Sequence, residues 1–308
     1  MSEGYVALRE RAAWLDLSGR GKIRATGEDR ARLLHAMTTN QVQQLKPGEG
    51  CYAFFLNAQG RILGDVNLLC FEDHFLLDTE PETKQKLFEH LDRYIIADDV
   101  TIQDQTDQIA TIAVEGPEAA AVLAKLGAPI PDAPYSTLAW GPDTIARLNS
   151  AGSDGFFVFA AATGKAELVE KLSAAGAVSV SPDDARIVRI EHGRPRYGEE
   201  ITERYLVQET GQLHAVHFTK GCYLGQEIVE RVRSRAQIHR VLHRLEIDTS
   251  EVPAAGTKLN AGEADAAEIA SAAFSPALGK IVALAYVRVQ YAEPGTELTL
   301  GTVQARVT

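Results

Sequence analysis

The sequence predicts an α+β protein followed by a small C-terminal β-barrel, and three observations carry this. Up to about residue 235, runs with the spacing of buried helix faces alternate with strand-like runs, as in an α+β sandwich. Beyond Arg240 the character changes, and short strand-like runs alternate with Gly and Pro turns. The length, 308 residues, exceeds what one simple core fills and suggests two or three modules.

The elements follow in order. Residues 26–29 resemble a helix start, with Thr26 as the cap and the acidic Asp29 three residues on. Leu33, Leu34 and Met37 then give a short apolar face, and the polar segment 38–41 ends it. A hairpin comes next: 51–56 is a strand by aromatic content, Asn57 to Gly60 a turn, and 62–69 the returning strand. Period-two alternation puts Asp65 and Asn67 on one side of it, where a carboxylate is held more rigidly than on a loop. Thr79, Pro81 and Glu82 combine a cap, a first-turn proline and an acid, and predict a helix burying Leu87, Leu91, Tyr94 and Ile95. Residues 100–102 and 109–114 read as strands. Gly116 and Pro117 open a helix that Gly127 closes, and the proline-rich stretch 128–141 reads as a loop. Ser181, Pro182, Asp183 and Asp184 start a further helix ending near Gly193. The expected barrel strands are 241–247, 269–274, 281–289, 297–300 and 303–307. A boundary near 235–240 gives an α+β region, 1–237, of two intertwined modules and a barrel domain, 238–308.

Composition narrows the function classes. Hydrophobic residues at 45% and charged residues at 24% are ordinary for a folded globular protein. No apolar run approaches the ~20 residues of a membrane helix, and no basic segment followed by an apolar one opens the chain. The expectation is a cytoplasmic protein without a signal peptide. The three cysteines, Cys51, Cys70 and Cys222, contain no C-x-x-C pair, which argues against a disulfide framework and a cysteine-rich metal site. A net charge of -11 argues against a general nucleic-acid binder. Arg231, Arg233, Arg235, Arg240 and Arg244 nevertheless crowd one stretch, with His239 and His243 among them. This is either a solvated helix face followed by a strand or a local site for an anionic ligand.

The segment 218–227 holds the most chemistry. A thiol reacts as its thiolate, which nearby cations or a helix N-terminus favour. Cys222 has Lys220 two residues before it and a helical run from Gln226 after it, with turn-permitting Gly221 and Gly225 between. The alternative is a buried structural cysteine.

The run Lys220-Gly221-Cys222-Tyr223-Leu224-Gly225-Gln226-Glu227 resembles the signature of the YgfZ family of folate-binding proteins, a branch of the glycine-cleavage T-protein superfamily. Residues 34–40, 57–62, 193–198 and 206–211 resemble further segments of the family, whereas 128–177 carries no such motif. The resemblance implies a T-protein-like fold of three modules around a central opening, with tetrahydrofolate, polyglutamylated or not, held inside. Glu209 matches the carboxylate of a Glu-Ala-Gly motif that contacts the pterin, with Thr210 in place of the alanine. Arg240 matches a basic position facing the glutamate tail. Asn40, Tyr197 and Gln226 join them as folate-binding candidates, and Cys222, Lys220 and Asp65 are the catalytic ones. Aminomethyltransferases of the superfamily carry two adjacent acids where this chain has Gly64 and Asp65.

The function implied first is a folate-dependent accessory protein that assembles or repairs iron–sulfur enzymes, with those client enzymes or assembly factors as partners. One thiol cannot hold a cluster alone. A folate-dependent aminomethyltransferase is the second reading, and a non-catalytic RNA- or protein-binding module the third.

Overall fold

The computed structural model describes residues 1–235 and 238–308, without the side chain of Arg235. The aromatic hairpin is present. Gly50–Leu56 pairs antiparallel with Ile62–Cys70, which sets Tyr52 opposite Asn67 and Phe54 opposite Asp65. Its turn closes because Oδ1 of Asn57 accepts from the backbone N–H of Gln59 and Arg61, at 2.9 and 3.0 Å. Gly60 there adopts a φ of +70°, which a side chain would resist.

These strands belong to a five-stranded sheet completed by His74–Thr79, Gly21–Thr26 and Thr101–Asp104. Helices Arg30–Met37 and Lys84–Tyr94 cover one face, where Leu34, Leu87 and Leu91 bury themselves against Phe55, Val66 and Leu68. Each fully buried leucine contributes roughly 2 kcal/mol. Leu69 and Leu76 reach the other way, into a core shared with a second sheet.

The second sheet runs Val178–Ser179, Ala13–Asp16, Ile109–Glu115, Gly155–Ala161, Asp143–Ala146, Thr137–Trp140. The chain enters it at Ala13, builds the whole of the other sheet, and returns at Ile109, so the two units interleave in sequence. Helices Ala119–Lys125 and Lys165–Ala174 cover its outer face. Glu3–Glu10 and Pro182–Glu191 pack into the core between the sheets.

Two expected helix starts are displaced. Thr26 and Thr79 are both last residues of strands, and the helices begin later, behind Asp29 and Thr83. Each Thr-x-x-acid pattern falls on a strand-to-helix crossing, and sheet pairing claims the threonine: Thr79 pairs with Gly21. Tyr94 lies exposed rather than on the buried face. The expected loop at 128–141 holds the edge strand Thr137–Trp140. At Ser181 the reading holds, since its Oγ accepts from the N–H of Asp184 and Pro182 opens the helix.

Beyond the undescribed residues 236–237, where the expected domain boundary lies, the chain forms a closed six-stranded barrel. Its strands are Arg240–Ile247, Lys258–Ala261, Ala264–Ser275, Lys280–Arg288, Glu297–Leu300 and Val303–Val307. It docks on the helix Pro182–Glu191, where Ile190 packs with Ala273, Val282 and Leu284. The hydroxyl of Tyr286 also donates to the Glu200 carbonyl at 2.9 Å. No helix among the described residues is long and apolar enough to cross a membrane.

Candidate functional site

A cavity of about 760 Å³ opens where the two sheets and the helix Pro182–Glu191 meet. That is the size of a pocket for a cofactor or drug-sized ligand. Tyr52, Asp65 and Asn67 of the hairpin form one wall; Phe157, Asn149, residues 14–17, Gly19 and Arg20 form another. The helix and the segment behind it close the site with Arg186, Arg189, Arg194, Arg196 and Glu199.

Asp65 sits at the wall of this cavity and is 7% exposed. Burial, and then the neighbouring charge of Glu80, raise its pKa to about 6, against the opposing effects of Tyr52 and Arg20. Burial pulls Glu80 the same way, but Arg20 and Arg196 hold it below the usual carboxylate range. The two acids thus separate into one that keeps its charge and one that can hold a proton near neutrality.

Three buried side-chain oxygens on the wall have no hydrogen-bond partner: Oδ1 of Asp65, of Asn67 and of Asn149. Buried acceptors are ordinarily satisfied, so these three oxygens, on residues of one cavity wall, are acceptors that the protein itself leaves unused. Most of the cavity's charges are already paired. Arg20 holds Asp78 at 2.8 Å and also Glu80; Arg196 holds Glu80 and Glu82 at 3.1 and 2.7 Å. Arg186 and Arg189 share Glu199, Arg189 also holds Glu200 at 2.8 Å, and Asp16 holds Lys165 at 2.6 Å.

The expected site residues distribute unevenly about this cavity. Only Asp65 lines it. Glu209 and Arg240, expected at opposite ends of one ligand, bind each other, with Nε of Arg240 donating to Oε1 of Glu209 at 2.9 Å. The other Glu209 oxygen accepts from the Leu206 N–H at 2.8 Å, and Glu209 lies off the cavity wall, away from the pterin pair that the motif suggested. The Glu209 expectation is corrected on that ground. Arg240 also lies over the rings of Tyr205 and Tyr286, where it joins the barrel to the body of the protein.

Asn40 donates to the carbonyls of Tyr52 and His214, at 2.8 and 3.0 Å, and so acts behind the wall rather than on it. Tyr197 is buried with Phe54, Leu56 and Ile62, and its hydroxyl donates to the Ile62 carbonyl at 3.3 Å. Gln226 opens the helix Gln226–Arg235, off the cavity wall. The crowded arginines are partnered too: Arg231 with Glu227, Arg233 with Glu230 and Arg244 with Glu246. Arg235 lies outside the described side chains. The solvated-face reading of this stretch therefore fits better than an anion site.

The Cys222 loop is built differently from the expectation. Lys220 is buried, and its ammonium donates to the carbonyls of His35 and Thr38 at 2.5 and 2.6 Å. It therefore caps the C-terminal end of the helix Arg30–Met37. Burial pulls its pKa down to about 7. Gly225 approaches the Asn57 carbonyl so closely that a Cβ would stand 2.7 Å from it. The glycine and the lysine dock the loop, and Cys222 is left exposed at its crest, off the cavity wall.

Asn67 was legible through the same alternation that exposed Asp65. Tyr52, Asn149 and Arg194 were not singled out, although Arg194 lies inside a segment marked by the family resemblance.

The GCVT N-terminal domain matches residues 1–220, and the glycine cleavage T-protein C-terminal barrel domain matches 240–308. An aminomethyltransferase of Streptomyces coelicolor is 32% identical, over 96% of this chain and 83% of its own length. A putative chloroplastic transferase of Arabidopsis thaliana is 28% identical, over 93% of this chain and 68% of its own. The crystal structure of the glycine cleavage system aminomethyltransferase T from Bartonella henselae shares the fold, with a TM-score of 0.90 at 23% identity over 99% of this chain and 87% of that one. Members of this family bind tetrahydrofolate. With both domain matches in chain order and together covering nearly the whole chain, the chain belongs to the glycine cleavage T-protein family.

Proposed function

We propose that the chain binds tetrahydrofolate in the central cavity and uses its Cys222 segment to serve iron–sulfur enzymes as an accessory protein. The observation that carries the folate part is the set of unpartnered oxygens on Asp65, Asn67 and Asn149. A reduced pterin presents an amino group and ring N–H groups, donors that match acceptors without partners. Bound tetrahydrofolate would supply the secondary amine to which a one-carbon unit is joined. Asp65, with a pKa of about 6, is suited to hold or release a proton in that cavity.

The accessory role rests on the motif resemblance and on the exposure of Cys222. A thiol outside the cavity is positioned to meet another macromolecule rather than the pterin. Cys51 and Cys70 are buried, so a partner would meet one thiol.

Calorimetry with tetrahydrofolate under anaerobic conditions tests the first part. Asp65→Asn is expected to weaken binding tenfold or more and Glu209→Ala to leave it unchanged; absence of binding to the wild type would overturn it. Complementation of a cell lacking the native protein tests the second part. Cys222→Ala should still bind folate yet fail to complement, and full complementation by this variant would refute the accessory role.

One observation favours aminomethyl transfer as a second reading. Gly64, where a second acid was expected, faces away from the cavity: a Cβ there would meet Leu87 and Thr83 at 3.0 and 3.1 Å. The missing acid therefore removes nothing from the cavity, and Asp65 keeps its place. Turnover with tetrahydrofolate and a loaded aminomethyl carrier protein would distinguish this reading from the first.

A further inference from the structure

Two charged side chains on the cavity wall stand apart from the rest. Among the described residues, Asp65 and Arg194 are the ones on that wall with no ion-pair partner, while Asp16, Arg20, Glu80, Arg186, Arg189, Arg196 and Glu199 are all paired. The Arg194 guanidinium makes no side-chain hydrogen bond either. Only its backbone is engaged, with its N–H donating to the Arg189 carbonyl at 3.0 Å and its carbonyl accepting from the Arg189 guanidinium at 2.7 Å. Those two bonds pin the Arg194 backbone to the helix Pro182–Glu191, so the side chain leaves from a fixed base. Its charge reaches the hairpin wall, where it is felt by Tyr52 and His214.

A half-buried guanidinium with five donors and no acceptor is poorly accounted for by the protein alone. Its planar fork matches a carboxylate, and Arg20 and Arg196 of the same cavity are paired with acids in this way.

We propose that Arg194 receives a carboxylate of the molecule in the cavity, so that the site reads its ligand at two poles: N–H donors at Asp65 and an anion at Arg194. The inference rests on the cavity being the ligand site. Two sources offer that chemistry, the glutamate carboxylate of a folate and the carboxylate of a small amino acid entering beside the folate, for which N-methylglycine serves as the probe.

The experiment compares wild type, Arg194→Gln and Arg194→Lys by calorimetry with three probes. These are tetrahydrofolate, a tetrahydropterin lacking the glutamate, and N-methylglycine added to protein with and without tetrahydrofolate. If the folate carboxylate is the partner, Arg194→Gln weakens tetrahydrofolate tenfold or more, leaves the tetrahydropterin within twofold, and Arg194→Lys recovers part of the loss. If an amino acid is the partner, Arg194→Gln spares tetrahydrofolate and abolishes N-methylglycine binding. Loss in neither arm, including a wild type that takes up none of the carboxylate probes, overturns the inference. Tetrahydrofolate binding that ignores Arg194 in both arms removes this inference and leaves the folate reading standing. Arg194-dependent uptake of N-methylglycine by a protein that binds no folate does the reverse.

Discussion

The hydroxyl of Tyr52 donates to Oδ2 of Asp65 at 2.7 Å, while Oδ1 of the same carboxylate has no partner. One oxygen is held and the other is left without a partner. Tyr52 is steadied in turn by stacking on His214, with ring centroids 5.4 Å apart, and by the Asn40 amide on its carbonyl. Asn40 is therefore a positioning residue, two steps removed from any ligand.

This arrangement predicts the effect of Tyr52→Phe. The hydroxyl favours the charged form of Asp65, so its removal should raise the Asp65 pKa above about 6. A carbon-13 NMR titration of the side-chain carboxyl checks it, and an unchanged midpoint would show that the hydroxyl has no hold on the acid. Folate affinity at neutral pH should fall about fivefold, the worth of roughly one hydrogen bond.

Asp65 also predicts a pH dependence of stability. Its folded pKa, about 6, lies above the ordinary 3.8, so between these values the folded protein binds more protons than the unfolded chain. Stability gained from this group is full below about pH 4 and is lost as the pH rises through 6. The loss is on the order of 3 kcal/mol. Asp65→Asn should flatten this part of the profile and be more stable than wild type at pH 7, as read by urea denaturation across pH 4 to 8. A slope that survives the substitution would assign the titration to another group.

Much of this site was legible in the sequence, and the remainder was hidden for definite reasons. Alternation along Ile62–Cys70 placed Asp65 and Asn67 on one side, because a strand buried on both faces still sends alternate side chains to opposite ones. The same rule, applied to Gly64, would have set the missing acid outside the cavity. Long-range pairing was not legible: nothing local told that Glu209 and Arg240, 31 residues apart, would neutralise each other. Nor did anything tell that Lys220 would turn from Cys222 to the helix end at His35. The caps at Thr26 and Thr79 failed because a four-residue pattern does not reveal whether a sheet neighbour will take the threonine first.

Gly64 gives a packing prediction. Aspartate there would press on Leu87 and Thr83 and bury a carboxylate beneath the helix Lys84–Tyr94. The protein should lose about 3 kcal/mol or more, from overpacking and a buried charge together. Gly64→Ala, which keeps only the steric part, should cost about 1 kcal/mol. Chemical denaturation of both variants separates the two contributions; an aspartate variant as stable as the alanine one would mean that the helix moves aside and the acid reaches water.

The motif around Cys222 divides into residues that dock the loop and one that does not. Lys220→Met leaves the carbonyls of His35 and Thr38 without their donor in a buried place, at a cost of about 1–3 kcal/mol. The wild-type loop should stay docked above pH 7, because a neutral amine still has two N–H groups for the two carbonyls. Cys222→Ala removes an exposed side chain and should change stability by no more than about 0.5 kcal/mol. Native protein should react rapidly with a thiol reagent at one site per chain, since Cys51 and Cys70 are buried, and Cys222→Ala should abolish that fast phase. In Lys220→Met the thiol should still react, and a second thiol should open, because Cys51 lies within reach of the Lys220 charge beneath the loop. If Lys220→Met instead keeps full stability and suppresses only the reaction of Cys222, the lysine acts on the thiol rather than docking the loop.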